Sequence, residues 1–167
     1  MENTNEIKVI GLTREAWGPR FWKILHTLAE KSGSQNTPIQ SNDEADAWIL
    51  LLKLQTFVMP CALCRKHFQE WHTSHRVDGL RKIMGEERQK WLREWLWGCH
   101  KRVNDLAQKE SPDLKDLPEL YSKKSIEKEF KELLTMFPAA INQQQLKLED
   151  IHRWKASLAK LRVLYGI

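Results

Sequence analysis

Apolar residues recur along the chain at the three- and four-residue spacing of amphipathic helices. No segment alternates polar and apolar residues over the length of a strand, and the 167 residues include only seven glycines. Thr13 is predicted to start the first helix, because threonine favours the position before a helix. The apolar positions of this helix are Trp17, Phe21, Ile24, Leu25 and Leu28. The pattern as a whole predicts an all-α fold.

Turn-forming and capping residues predict the bounds of the next two helices. Gly33 and the polar residues after it should end the first helix. Asn42 or Asp43 should then start a second helix that runs towards Pro60. A short third helix is predicted over residues 61–75. Apolar residues of the second helix are Ala45, Trp48, Ile49, Leu52 and Phe57.

Prolines bound the following helices. A fourth helix should begin near Glu86 and stop before Pro112, because proline cannot continue the helical hydrogen bonds. A shorter fifth helix is predicted over 125–136 and should be closed by Pro138. A last helix is predicted over 142–165. Its apolar stripe comprises Ile151, Trp154, Leu158, Leu161 and Tyr165.

The stripe is too short to stand alone as a coiled coil, so it must dock on another surface. Two alternatives stay open: the chain's own bundle, or a partner protein or second subunit. The chain is accordingly divided into a tail (1–12), a helical bundle (13–137) and a carboxy-terminal extension (138–167).

Composition indicates a globular protein with a substantial core. Hydrophobic residues make up 41% of the chain and charged residues 29%. The net charge is +5, but basic and acidic residues alternate, which is typical of solvated helix faces, so no nucleic-acid partner is predicted. The apolar run 47–60 is too short to span a bilayer, so no membrane association is predicted. The polar start of the chain does not resemble a presequence.

The paired cysteines are the main chemical signal. Cys61 and Cys64 follow Pro60 at a predicted helix start, where the helix dipole and the cations Arg65 and Lys66 favour thiolates. This spacing permits a reversible disulfide. A zinc half-site and a pair of inert buried thiols are the alternatives. Zinc needs further ligands at paired spacing, which the chain lacks, so no metal site is predicted.

Two other groups place polar and aromatic residues on single helix faces. Trp22 and His26 are four residues apart, as are His100 and Asn104. Each pair taken alone is more typical of core packing or of a polar helix face. An imidazole, an amide and the nearby Lys109 would nevertheless suit a nucleotide by stacking, hydrogen bonding and phosphate neutralisation.

Taken together and in order, these groups resemble the Erv/ALR-type FAD-linked sulfhydryl oxidases. The matching segments are Trp17–His26, Pro60–Cys64 and His100–Asn104, followed by Lys109. The similarity covers roughly residues 14–135. It implies a four-helix bundle with a short fifth helix across it, to which this chain adds a carboxy-terminal helix.

The resemblance also implies which residues act. Cys61 would meet the incoming thiol and Cys64 would lie against the isoalloxazine. Two electrons would pass from the cysteine pair to FAD and on to O2, giving H2O2. The residues expected to hold FAD are Gly18, Trp22, His26, Cys64, His100, Val103, Asn104 and Lys109.

The chain departs from the family pattern at three points. Met59 stands where many members have an aromatic residue. Trp97 occupies the place of the first cysteine of a structural disulfide that joins the fourth helix to the segment beyond it. Cys99 is out of that register and is predicted to be a free thiol. A separate shuttle cysteine pair is absent from the sequence, as in compact members from large DNA viruses.

The expected function is therefore disulfide formation in thiol-containing protein substrates, with O2 as acceptor and a homodimer as the assembly. The expected location is the cytoplasm, including a viral factory or virion, with the mitochondrial intermembrane space as the alternative. The alternative function is a structural or interaction protein, such as a virion component, built on the same bundle.

Overall fold

A computed structural model of the chain describes residues 6–167. Over these residues the fold is all-helical, which confirms the predicted fold class. Two short 3-10 turns, at Asp78–Lys82 and Leu114–Asp116, join helices. The described part of the chain forms seven α-helices: α1 (Arg14–Lys31), α2 (Pro38–Gln55), α3 (Ala62–Ser74), α4 (Gly85–Leu106), α5 (Leu117–Tyr121), α6 (Glu127–Asn142) and α7 (Leu148–Tyr165).

The predicted tail lies only partly within the described residues, because residues 1–5 are outside them. Residues 6–12 contain no helix. Ile10 is buried, and its backbone N–H donates to Thr135 Oγ1 of α6 at 3.1 Å. This segment is therefore attached to the helical core.

Helix starts were predicted well where one local signal dominates. Thr13 precedes α1 and Cys61 precedes α3, as predicted, and α4 begins one residue before Glu86. The predicted start of α2 is wrong. This helix begins at Pro38, with Thr37 accepting a hydrogen bond from the next turn. Proline is well tolerated at the first position of a helix because its missing N–H would be unpaired there anyway.

Two predicted helix ends are also wrong. α2 stops at Gln55, so Phe57 lies beyond the helix and is exposed. Pro138 does not close a helix but lies inside α6. The lost backbone hydrogen bond is offset because Phe137 and Ala140, on either side of the proline, are buried in the core. α6 therefore crosses the boundary expected after residue 137.

The turn between α6 and α7 replaces the predicted start of the last helix at residue 142. Gln144 adopts a left-handed conformation, with φ of 57°. The N–H of Gln145 then donates back to the carbonyl of Ala140 at 2.9 Å. This arrangement ends α6 and lets α7 begin at Leu148.

α1 is the central helix, packed against α4, α5 and α6, while α2 packs mainly against α7. Glu30 fixes the antiparallel register of α1 and α4. Both of its carboxylate oxygens accept from Arg93, at 2.7 and 2.8 Å, and its carbonyl accepts from Gln89 at 2.7 Å. A two-point contact of this kind resists sliding of one helix along the other.

A buried ion pair joins α2 to α4. Arg88 and Glu44 are almost fully buried and 2.8 Å apart. Arg88 also donates to the carbonyl oxygens of Ser41, Leu80 and Ile83. Because a buried charge is tolerated only when it is paired and hydrogen-bonded, these contacts fix the helix ends around it.

Glycine is required where this ion pair meets the end of α1. Gly33 has φ of 80°, and its N–H faces both carboxylate oxygens of Glu44 at 3.3 Å. A side chain at Gly33 would place its Cβ 2.1 Å from the carbonyl oxygen of Gly85. The ends of α1 and the starts of α2 and α4 therefore converge within a few ångströms.

α7 docks on the chain's own bundle, the first of the two alternatives left open by the sequence. Ile151, Trp154, Leu158 and Leu161 are buried. The indole of Trp154 donates to the Gln55 side chain of α2 at 2.9 Å. The Tyr165 hydroxyl at the far end accepts from Trp48 at 2.8 Å. The stripe is thus occupied within the chain.

No helix among residues 6–167 has both the length and the apolar character needed to cross a membrane.

Replacing Trp154 by alanine should destabilise the protein, because it removes a fully buried indole at the centre of the α2–α7 contact. The expected loss is about 3–5 kcal/mol in the free energy of unfolding, measured by urea titration. Val163→Ala is the matched control, since Val163 lies on the same helix and is 80% exposed. This control should change the free energy by less than about 0.5 kcal/mol. Equal effects of the two substitutions would mean that α7 does not hold the bundle together.

Candidate active site

A groove runs between α1, α3 and α4, and α5 closes one end of it. It has two adjoining compartments of about 260 and 140 Å³, which share Arg14, Gly18, Trp22, Val103 and Ala107. Most of the sequence-predicted site residues meet here. Those lining the groove are Gly18, Trp22, Cys64, His100, Val103, Asn104 and Lys109.

The α1 wall is open because Gly18 has no side chain. A Cβ there would approach only Cγ of Arg14, at 3.7 Å. Arg14 lies one helical turn before Gly18 and lines both compartments. Among the ion pairs of the described residues none includes Arg14, so its guanidinium is available to an anion.

Parallel aromatic rings form the larger compartment's wall. Trp22 of α1 and His100 of α4 stack with centroids 4.1 Å apart and planes 3° apart. His26 lies behind this pair, only 2% exposed, with Nε2 3.0 Å from Nδ1 of His100. Tyr121 of α5 also stacks on His26, with ring centroids 4.9 Å apart. His26 thus supports the wall from within the core.

Both histidines of the wall are held neutral. Burial, and then the neighbouring His100, lower the pKa of His26 to about 3. Burial, and then Lys109, lower the pKa of His100 to about 4. At neutral pH the contact between the two rings is therefore a hydrogen bond in which one neutral imidazole donates and the other accepts.

The paired cysteines lie at the opposite end of the groove. They form a disulfide, with Cα atoms 5.2 Å apart. Cys61 is the N-cap of α3, and its Sγ accepts a hydrogen bond from the N–H of Cys64 at 3.2 Å. Arg65 donates to the carbonyl of Met59 at 2.7 Å and braces the approach to the helix. Among the described groove-lining residues Cys64 is present and Cys61 is not.

The end of α4 is shaped to return Lys109 to the groove. Gln108 takes a left-handed conformation, with φ of 56°. The N–H of Lys109 then donates to the carbonyl of Asn104 at 2.8 Å. The Asn104 amide donates to Ser111 Oγ at 2.9 Å, which anchors the following segment. This left-handed ending is a common way to satisfy helix carbonyls.

Two residues of α4, Cys99 and Trp97, lie at positions where the sequence departs from the family pattern. Cys99 is a free thiol, as predicted; it is 1% exposed, and burial raises the pKa of its thiol. It is therefore unsuited to exchange chemistry. The indole of Trp97 donates to the carbonyl of Pro112 at 2.9 Å. This bond joins α4 to the segment beyond it.

Several groove residues were missed by the sequence reading. Arg14 could have been found, because it lies four residues before Gly18 on one helix face. His67 and Phe68 lie one turn after Cys64 and could have been found in the same way. Tyr121 carried no usable signal, because the short α5 that presents it was not predicted.

The lining fits the FAD that the sequence resemblance implies. Flat rings form the wall at one end, apolar Met59 and Phe68 surround the other end beside Cys64, and the cations Arg14 and Lys109 lie along the groove. A flavin dinucleotide has planar rings at both ends and a pyrophosphate between them. No group of three or more histidine, cysteine, aspartate or glutamate side chains within residues 6–167 could hold a metal ion.

Acid should destabilise the fold through the two neutral histidines. The unfolded chain takes up protons near the ordinary histidine pKa of about 6.5, whereas folded His26 and His100 resist protonation down to about 3 and 4. Their contribution to the free energy of unfolding is therefore complete above pH 6.5 and is lost as the pH falls towards the pKa values of the folded protein. The expected slope is about 1.4 kcal/mol per pH unit for each histidine. Urea unfolding at several pH values measures it.

His26→Gln should remove a large part of this pH dependence. His152→Gln is the matched control, because His152 is exposed on α7, and this variant should retain the full slope. An unchanged slope in His26→Gln would show that His26 is not held neutral in the folded protein.

The chain was compared with known proteins. The model of the Erv1 / Alr family matches residues 19–125, which is more than half of the chain and runs from within α1 to just past the end of α5. No curated protein and no solved structure matches it. The matched region contains the disulfide and, apart from Arg14, Trp17 and Gly18, the lining of the groove. The all-helical fold agrees with this match, and the chain belongs to the Erv1/Alr family.

Proposed function

We propose that this protein is an FAD-dependent sulfhydryl oxidase that forms disulfides in protein substrates and passes two electrons to O2, giving H2O2. Membership of the Erv1/Alr family implies FAD-linked sulfhydryl oxidase activity in general. The observation that carries the specific proposal is the position of the Cys61–Cys64 disulfide. Cys64 lines the groove and Cys61 lies outside it, at the start of α3.

Thiol exchange at this disulfide takes two steps. A substrate thiolate attacks Sγ of Cys61, a substrate–Cys61 bond forms, and the Cys61–Cys64 bond breaks with Cys64 leaving as a thiolate. A second substrate thiolate then attacks the substrate sulfur and releases Cys61 as a thiolate. The substrate has lost two electrons and two protons, and the two electrons are held by the reduced cysteine pair.

The local structure favours the thiolates that this exchange produces. The N–H of Cys64, which points at Sγ of Cys61, and the positive end of α3 both stabilise negative charge there. Arg65 and Lys66 add positive charge on the first turn of the helix. Cys61 is only partly buried, so a protein thiol can reach it.

The groove would hold FAD with its isoalloxazine ring towards the apolar side chains next to Cys64. Trp22 and His100 would bind the adenine end by stacking, and Arg14 and Lys109 would neutralise the pyrophosphate. When bound, FAD supplies the two-electron acceptor that reoxidises the cysteine pair and delivers the electrons to O2. Phe68 and Trp17 are buried side chains at the Cys64 end of the groove and would keep water away from the isoalloxazine ring.

The alternative of a purely structural protein was motivated by the carboxy-terminal helix and by the loss of shuttle and structural cysteines. The first of these observations no longer favours it, because α7 buries its apolar stripe against α2. The disulfide beside the groove favours the oxidase over a bare scaffold, because it places a redox-active pair against the proposed cofactor site.

Substitution of each cysteine should separate three roles. Cys64→Ser and Cys61→Ser should both abolish oxidation of a protein dithiol, measured as O2 consumption. Cys61→Ser should keep a lone Cys64 thiolate beside oxidised flavin and show a long-wavelength charge-transfer band that Cys64→Ser lacks. Cys99→Ser is the control and should retain turnover, since Cys99 is buried and unpaired. A band in Cys64→Ser would reverse the assignment, and an inactive Cys99→Ser would require a three-cysteine relay.

Charge reversal at Lys109 should weaken FAD binding through repulsion of the pyrophosphate. We expect Lys109→Glu to raise the FAD dissociation constant by about tenfold or more, measured by equilibrium dialysis. Arg14→Gln should act in the same direction with a smaller effect. Riboflavin, which has no phosphate, should bind both variants as it binds the original protein.

The matched control is Arg153→Glu, which makes the same charge reversal at an exposed position on α7. It should leave FAD affinity unchanged. Equal weakening by Lys109→Glu and Arg153→Glu would show that only overall charge matters. Flavin that stays with the protein after denaturation and filtration would show a covalent rather than a noncovalent site.

A further inference from the structure

Two clefts lie away from the groove, around the carboxy-terminal end of α3. One, of about 550 Å³, lies against α4 and is lined mainly by aromatic residues. The other, of about 460 Å³, lies against α2 and the 3-10 turn that follows α3. Arg76 lines both, so the two clefts adjoin. Neither shares a lining residue with the groove.

Indole rings form the walls of the first cleft. Trp71, Trp91, Trp95 and Trp97 all line it. Trp91 and Trp95 are stacked with planes 21° apart, and Trp71 meets Trp95 edge to face. Only Trp95 of the four is almost fully buried, so the others present part of their rings to the cleft. Such walls suit a planar ring.

Trp71 is held at the wall by close contacts yet lacks a hydrogen-bond partner. His75 stacks on it with centroids 3.5 Å apart. Gly98 faces the ring so closely that a Cβ there would lie 2.7 Å from it. The indole Nε1 of Trp71 is buried and has no hydrogen-bond acceptor. An unpaired buried donor is costly, and a ligand with an acceptor edge would satisfy it.

The second cleft is polar and mainly basic. Lys53, Arg76 and Arg81 line it, against the single carboxylate of Asp78. His72 also lines it, and its Nε2 is buried with no partner. Arg76 pairs with Asp78 at 2.8 Å, but both side chains are largely exposed. Exposed pairs of this kind are weak and can exchange partners at little cost.

Arg81 also forms an exposed ion pair, with Asp46 at 2.7 Å. Glu94 lines the aromatic cleft and disfavours an anion there. An anionic group would therefore be directed to the basic cleft, and an uncharged ring to the aromatic one. The arrangement separates the two parts of a ligand by their chemistry.

We propose that the two adjoining clefts form a second binding site, which takes a free nucleotide. The base would bind among the tryptophans by stacking, and the phosphate would bind near Lys53, Arg76 and Arg81. The clefts share no lining residue with the groove, and FAD enters only the test, where it is added so that AMP cannot occupy the groove.

Calorimetric titration with AMP, using the full chain in saturating FAD, tests the site. One AMP should bind per chain while the flavin absorbance stays with the protein. Arg76→Gln should weaken AMP binding by about tenfold, because it removes the cation shared by both clefts. The Arg76 side chain is 82% exposed, so this variant should fold normally. Trp91→Leu, with its melting temperature checked, should weaken binding by a similar factor through lost stacking.

Arg153→Gln is the matched control, since it removes one exposed positive charge from α7, and it should leave AMP affinity unchanged. Four outcomes would overturn the proposal. They are no binding of AMP, release of FAD by AMP, equal weakening by Arg76→Gln and Arg153→Gln, and inorganic phosphate binding as tightly as AMP. A decamer of deoxyadenylate that bound more than about tenfold tighter than AMP would assign the site to single-stranded nucleic acid instead.

Discussion

The buried ion pair between Arg88 and Glu44 determines where three helices meet. Neither charge could remain in the core without its partner, and the guanidinium also donates to three backbone carbonyls. The ends of α1, α2 and α4 are consequently held together at one pole of the molecule. Gly33 permits this approach, because any side chain there would collide with Gly85.

The convergence of the helix ends helps to set the register of α1 against α4. That register in turn places the residues that line the groove. Glu30 accepts two hydrogen bonds from Arg93, and the stacked rings of Trp22 and His100 lie further along the same two helices. Trp22 is eight residues from Glu30, and His100 is seven residues from Arg93. At 1.5 Å per residue these offsets are about 12 and 10.5 Å, so the two rings arrive at nearly the same level. The site's stacking geometry therefore depends on ion pairs more than a turn away.

Features that depend on local residue type could be predicted from the sequence. Features that depend on packing between distant segments could not. Cys61 caps α3 through its own Sγ, and Thr13 precedes α1 without a side-chain capping bond; both starts were predictable from local residue type. Pro138 was misread, since the burial of neighbouring side chains that carries α6 through it is a tertiary effect. The groove residues on α1, α3 and α4 could be proposed from spacing together with family resemblance. Tyr121 could not, because its helix is only five residues long. The pairing of Arg88 with Glu44, 44 positions apart, leaves no local trace.

The hydrogen bond from Trp97 to Pro112 has a consequence for how the protein can be made. At the point where many relatives are expected to use a second disulfide, this chain uses an indole and a backbone carbonyl. Cys99 is buried and has no disulfide partner, so Cys61–Cys64 is the single crosslink of the three cysteines. The Cys61–Cys64 crosslink spans only three residues at the start of α3, so no disulfide between distant helices has to form before the scaffold can assemble.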